Sequence, residues 1–230
     1  MKIIENLWQV GGAGHTAGED AAVYLVRFGP QAALVDAGCG HAHDRLAANI
    51  AEVLPPEVKI TRLFLTHCHY DHTGGAEAVR RQYGCRITAH ALDAVFLESG
   101  DSRVTAAAWY GAHMTPLRVD EHMSGSEATF PVGNGEITAY HCPGHSPGSV
   151  VYATGMDSHR VLFGQDVHGP LDASFLSNRE DYARSLKFMA GLGADILCEG
   201  HFGVIRGKKA VREFILSYLP PGLSGSAECK

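Results

Sequence analysis

Thr66-His67-Cys68-His69-Tyr70-Asp71-His72-Thr73-Gly74-Gly75 packs three histidines and an aspartate into six consecutive positions. A hydrophobic core has no use for that density of titratable side chains. Upstream, residues 61–65 read as a short buried strand. Downstream, residues 75–83 read as a helix with Val79 and Tyr83 on one face. The cluster thus falls on a strand-to-helix turn at the carboxyl end of a strand, where α/β proteins gather their chemistry. His67 and His69 lie two apart and can converge on one metal. Asp71 and His72 follow the turn and can face a second. Alone, the stretch could be a histidine-rich surface loop, but the residues downstream supply further ligands.

Working outward, residues 22–28 and 32–38 are apolar strands separated by Gly29-Pro30. Asp36 follows Leu34-Val35, and a carboxylate in that position needs a partner. The sharper of its two readings, against a plain strand terminator, is a carboxylate that orients a metal ligand. Residues 42–54 carry Leu46, Ile50, Val53 and Leu54 at helical spacing, and Pro55-Pro56 stops them. A strand over 85–90 and a short helix over 92–97 follow. Residues 98–123 hold no sustained period yet carry Trp109, Tyr110, His113, Met114 and His122, the composition of a lid over a binding groove. Strands are expected at 136–142, 149–154, 160–164 and 194–198. Helices are expected at 178–192, with Ser177 and Glu180 as a capping box, and at 207–219. Residues 1–220 read as one domain, and 221–230 as a small polar tail without regular structure.

In that second half, three more candidate ligands stand at strand ends: His145 in His141-Cys142-Pro143-Gly144-His145, Asp166 in Gly164-Gln165-Asp166, and His201 in Glu199-Gly200-His201. Neutral imidazoles with carboxylates suit zinc, and equally iron or manganese. His168, two residues past Asp166, is a candidate substrate contact together with Trp109 and Tyr110. Cys68, Cys142 and Cys198 stand near ligands but read as small buried residues. Tyr70 reads as packing, and His15, His90 and His141 receive no role.

The whole pattern resembles the metallo-β-lactamase superfamily, whose His-x-His-x-Asp-His signature is met by His67, His69, Asp71 and His72. The resemblance extends to His145, Asp166 and His201, with Asp36 at the family's early strand-end aspartate. It implies a four-layer αββα sandwich of the α/β class with two divalent metal ions, zinc being the expected one. One ion would be held by His67, His69 and His145 and the other by Asp71, His72 and His201, with Asp166 between them. Asp71 and Asp166 are then the catalytic carboxylates. An aspartate at 166, where true β-lactamases carry Cys or Ser, resembles the glyoxalase II and lactonase-like hydrolases. The implied reaction is cleavage of an ester, lactone or thioester by a hydroxide bridging the metals. The lactonase tyrosine is replaced by Gly169, and no long C-terminal helical domain of the glyoxalase II kind follows. An iron-dependent oxidoreductase acting on persulfides or oxygen is the alternative.

The 230 residues are 45% hydrophobic and 19% charged, with a net charge of −6. That balance offers no electrostatic case for nucleic acid or an anionic membrane as partner, and points to a small-molecule substrate. No apolar run reaches the length of a membrane span, and residues 1–6 lack the apolar region of a secretory signal. The expected compartment is the cytoplasm, with reduced thiols. The sequence leaves the oligomeric state open, a homodimer among the options.

Overall fold

A computed structural model describes residues 1–164 and 166–222. The first half of the chain forms a seven-stranded sheet in sequence order: β1 (Lys2–Ile4), β2 (Leu7–Gly11), β3 (Val23–Phe28), β4 (Gln31–Val35), β5 (Lys59–Phe64), β6 (Arg86–His90) and β7 (Glu121–Met123). Strands β1 to β4 pair antiparallel, and β4 to β7 pair parallel. The parallel pairs require crossovers, supplied by α1 (His43–Val53), by α2 (Tyr70–Thr73) with α3 (Ala76–Tyr83), and by α4 (Ala91–Ser99). The second half forms a six-stranded sheet of β8 (Glu127–Val132), β9 (Gly135–His141), β10 (Val150–Met156), β11 (His159–Phe163), β12 (Ile196–Cys198) and β13 (Val204–Arg206). Here β11 and β12 run parallel across α5 (Arg179–Gly191), and α6 (Lys208–Ser217) follows β13.

The central strands are buried on both faces, and their alternation sorts side chains into layers. Tyr24, Val26, Val35 and Phe64 point to the space between the sheets, where they meet Phe130, Tyr152, Phe163 and Cys198. Val23, Leu25, Leu34 and Leu63 point outward under α1, α3 and α4. Val151, Leu162 and Leu197 point outward under α5 and α6. The result is helix, sheet, sheet, helix, as the resemblance implied. Two buried phenols tie the sheets at one edge: Tyr152 donates to the Leu65 carbonyl at 2.8 Å, and Tyr24 donates to the Glu199 carbonyl at 2.7 Å. That edge carries the candidate ligands. No described helix is long and apolar enough to cross a membrane.

The structure departs from the sequence reading in several places. The histidine-rich turn is itself helical, since α2 begins at Tyr70 before Gly74-Gly75 breaks it and α3 restarts at Ala76. Gly75 is needed there because a Cβ would stand 2.3 Å from the Ala37 carbonyl oxygen. The cap of α5 is Asn178, whose side chain accepts from the Glu180 and Asp181 amides at 3.0 Å, and not a Ser177–Glu180 box. Residues 98–123 are largely not a lid. They include the end of α4, a 3-10 turn over Ala107–Tyr110, and β7. Met114, Leu117 and Val119 are buried in the outer core of the first sheet. The edge strands β7 and β13, three residues each, carry too few apolar positions to show a period, whereas β8 does alternate, with Phe130 and Val132 buried. The tail 221–230 lies outside the described residues apart from Pro221 and Gly222.

Candidate metal centre

Every candidate ligand follows the carboxyl end of a strand: His67 to His72 follow β5, His145 follows β9, Asp166 follows β11 and His201 follows β12. The side chains of His67, His69, His145 and Asp166 each offer one ligand atom within 4.8 Å of the others. Asp71, His72 and His201 do the same. In the first group, His69 Nδ1 and His145 Nε2 are 2.9 Å apart, and His145 Nε2 is 3.4 Å from Asp166 Oδ2. In the second, His201 Nε2 is 3.1 Å from Asp71 Oδ2. Asp166 turns its other oxygen, Oδ1, to that group, 3.1 Å from His72 Nε2 and 3.3 Å from His201 Nε2. All seven are brought together, and His201 is the one most open to solvent.

The donor set fits divalent cations on two grounds. His67 Nε2, His72 Nε2 and Asp166 Oδ1 are buried and lack a hydrogen-bond partner of good geometry among the described residues. Buried polar atoms left so are costly, and a cation satisfies them. Second, the opposite ring nitrogens are committed as donors. His72 Nδ1 donates to Asp36 Oδ2 at 2.7 Å, and His145 Nδ1 donates to the Pro170 carbonyl at 2.8 Å. Thr66 Oγ1 gives its proton to Asp36 Oδ2 at 2.8 Å, and so accepts from His67 Nδ1 at 3.0 Å. Nε2 is thereby the atom that each of these rings turns to the centre.

Burial pushes His67, His69 and His145 below the usual imidazole range, so they stand neutral as ligands should. Burial also acts against charge on His72 and His201. There the surrounding carboxylates win: Asp166, Asp71 and Asp36 raise His72, and Asp166 with Asp71 raises His201 to about 10. Burial would raise the Asp166 carboxyl, but His72 and His201 hold it well below its usual range.

Three buried carboxylates hold the loops. Asp36, in the left-handed region at φ 61°, also accepts the Thr66 amide at 2.8 Å, so one side chain serves both groups. The other two carry no motif and escape a sequence reading. Asp93 of α4 accepts the Cys68 amide at 2.9 Å, the Ser146 hydroxyl and the Gly148 amide, joining the His67–His69 loop to the His145 loop. Glu199 accepts the Val167 amide and His168 Nδ1 on one oxygen, and the His201 and Phe202 amides on the other. Between them, Gly200 leaves room that a Cβ would close, since it would stand 2.6 Å from Asp166 Oδ1.

Beside the ligands lies a cavity of about 170 Å³ lined by Trp109, Tyr110, His168, Phe175, Pro170 and Ala106. The three candidate substrate contacts are therefore all at its wall. Tyr110 is held as a neutral phenol, pushed up by burial and then by the adjacent Asp71 carboxylate. His113 lines a separate cavity with Tyr70 and Glu77, and His122 pairs with Glu98 at 3.0 Å on the surface, so neither serves this one. His90 and His141 stack on each other at 3.9 Å, away from the ligands. Cys68, Cys142 and Cys198 are buried, each in a different core layer. Phe175, unmarked by any pattern, packs 4.3 Å from the His69 ring.

The family model described as "Metallo-beta-lactamase superfamily" matches residues 17–201. An acyl-coenzyme A thioesterase, MBLAC2, from Gallus gallus is 27% identical, covering 86% of this chain and 78% of that protein. A hydroxyacylglutathione hydrolase from Anaeromyxobacter dehalogenans is 34% identical over 58% of this chain and 42% of its own length. An atrochrysone carboxyl ACP thioesterase from Aspergillus fumigatus is 26% identical over 85% and 55%. This chain thus spans only about half the length of the last two. Among solved structures, the metallo-beta-lactamase GOB-18 from Elizabethkingia meningoseptica superposes with a TM-score of 0.76 at 23% identity, covering 95% of this chain and 88% of that one. At that identity the likeness speaks for the fold alone. With the motif, the sandwich and the match over residues 17–201 in agreement, this chain belongs to the metallo-beta-lactamase superfamily.

Proposed function

We propose that this metal-dependent hydrolase cleaves thioesters at a dinuclear centre, with zinc as the working metal and the cytoplasm as its compartment. The observation that carries the dinuclear reading is Asp166, which turns one carboxylate oxygen to each group of ligands. A shared carboxylate offsets the repulsion between two cations held side by side. His67, His69, His145 and Asp166 would hold one ion; Asp71, His72, His201 and the second oxygen of Asp166 would hold the other. Bound there, the pair supplies Lewis acidity and a water ionised at neutral pH. The protein's own part is orientation and proton handling. Asp36 and the Pro170 carbonyl fix the imidazole tautomers, and the Asp71 carboxylate lies beside the Tyr110 phenol at the cleft wall, placed to accept and pass a proton.

Three relatives with thioester-cleaving names support the bond type over a simple ester or lactone. The test is elemental analysis after saturation with zinc, manganese or iron, followed by a panel of acyl-CoA, acyl-glutathione, ester and lactone substrates. Two metals per chain and chelator-sensitive thioester hydrolysis are expected. One metal per chain at saturation would refute the dinuclear centre, and a loaded protein inert on every thioester would refute the reaction.

A further inference from the structure

The cleft has two unlike ends. Toward His201 it borders a groove of about 480 Å³ lined by Gln9, His15, Asp20 and the backbone of Gly18, Gly200 and Gly203. Toward His69 and His145 an aromatic pair, Phe175 beneath Trp109, walls it off. Phe175 forms that closure: it is only 2% exposed, its ring lies 4.3 Å from His69 and 6.2 Å from His145, and Trp109 covers it at 4.6 Å. Trp109 itself is 60% exposed and forms the outer wall.

The segment that presents Phe175 is built, not draped. Asp172 accepts from the Ser174 amide at 2.7 Å and from its hydroxyl at 2.6 Å, and Leu176 takes the left-handed conformation after the turn. Ser177 then donates to the His145 carbonyl at 2.6 Å, and the Asn178 amide donates to the Gly144 carbonyl at 2.8 Å. With Pro170 accepting from His145 Nδ1, the loop grips the ligand from both ends and holds the aromatic ring at its apex.

We infer that Phe175 is the stop at the acyl end of the cleft and restricts this enzyme to thioesters of short acyl groups. The inference rests on the thioesterase reading above. A thiol carrier bearing amides suits the polar groove, and an acyl group suits the aromatic wall of Phe175 and Trp109. The cavity that Phe175 lines holds about 170 Å³ and shares it with His69, Asp71, His145, Asp166 and His201, below the roughly 300–1,000 Å³ common for ligand pockets, so little of it is left for an acyl chain on the Phe175 side. While an added methylene still finds apolar wall, it raises kcat/KM about fourfold; once it meets Phe175 the trend reverses.

The experiment measures kcat/KM for a saturated acyl-CoA series from acetyl to dodecanoyl, with metal content determined for each protein. The wild type should peak on the order of four to six carbons and fall about tenfold or more by ten. Phe175→Ala should move the peak several carbons longer. Phe175→Leu, which keeps an apolar side chain against His69, should move it less and in the same direction, so the inference survives if the alanine variant misfolds. A wild-type optimum at ten carbons or beyond would overturn it, as would leucine and alanine variants that keep the wild-type optimum. A wild type active on thioesters with no length preference would sink this inference alone; one inert on all of them would sink the thioesterase reading as well.

Discussion

Replacing Asp36 by Asn tests how one carboxylate serves two groups of ligands. The backbone at this position is left-handed, φ 61°, a conformation asparagine also accepts, so the change adds no strain. The amide keeps one oxygen for the Thr66 amide. Its NH₂, however, faces two groups that both donate to Asp36 Oδ2, the Thr66 hydroxyl at 2.8 Å and His72 Nδ1 at 2.7 Å. His72 must then move its proton to Nε2, the nitrogen it presents to the centre, or lose the contact. A hydrogen bond to a charged group is worth about 1.5–3 kcal/mol. At about 1.4 kcal/mol per decade, that is about 10–100-fold in metal affinity, the size usual for groups behind a ligand. Titration against a chelator of known affinity reads this directly, and circular dichroism confirms the fold. Thr66→Val is the companion variant, cutting the relay to His67 while leaving the His72 contact in place. Wild-type metal affinity in the Asp36→Asn variant would show that the Asp36–His72 contact does not set the tautomer, and the reasoning would fail.

Asp166→Ala should drop saturated metal content from two to about one per chain and lower thioester hydrolysis about 10²-fold or more; two tightly held metals in that variant would exclude the bridge. Glu199→Gln puts an NH₂ against two of four donors, for a loss of about 1–3 kcal/mol and a Tm lower by about 2–4 °C per kcal/mol in calorimetry; an unchanged Tm would exclude the clamp. In the metal-free protein the carboxylates raise His72, and raise His201 to about 10, so both carry a proton at pH 7 that a ligand cannot keep. Metal uptake at pH 7 should therefore release about two protons, seen as buffer-dependent heat in calorimetry, and affinity should weaken as pH falls; heat independent of the buffer would contradict that.

The ligands were legible because they are crowded into short motifs at strand ends, and the central strands because they are apolar on both faces. The clamps were not. Asp93 sits inside a helical period and Glu199 beside a ligand, and neither differs in sequence from a solvated carboxylate. Only the fold shows that they are buried and saturated with amide donors. Phe175 was hidden for a related reason: a lone aromatic between Asp172 and Leu176 has no periodicity to report, and its role comes from a turn held by Asp172 and Ser177. The lid reading of residues 98–123 failed in part because Met114, Leu117 and Val119 cover core at irregular spacing, leaving only Trp109 and Tyr110 at the cleft.

The chain passes from one sheet to the other once, between β7 and β8, and each group of ligands draws on both sides of that passage. His67, His69, Asp71 and His72 belong to the first lobe; His145, Asp166 and His201 belong to the second. Neither lobe owns a complete site, so a bound cation is a cross-link between two halves that otherwise adhere through the apolar layer between the sheets and the buried hydrogen bonds of Tyr24, Tyr152 and Asp93. Its binding energy then counts toward their association, about 4 kcal/mol when free metal stands a thousandfold above Kd. A backbone cut at 124–126 would leave two pieces whose cohesion depends on metal in a way the intact chain conceals.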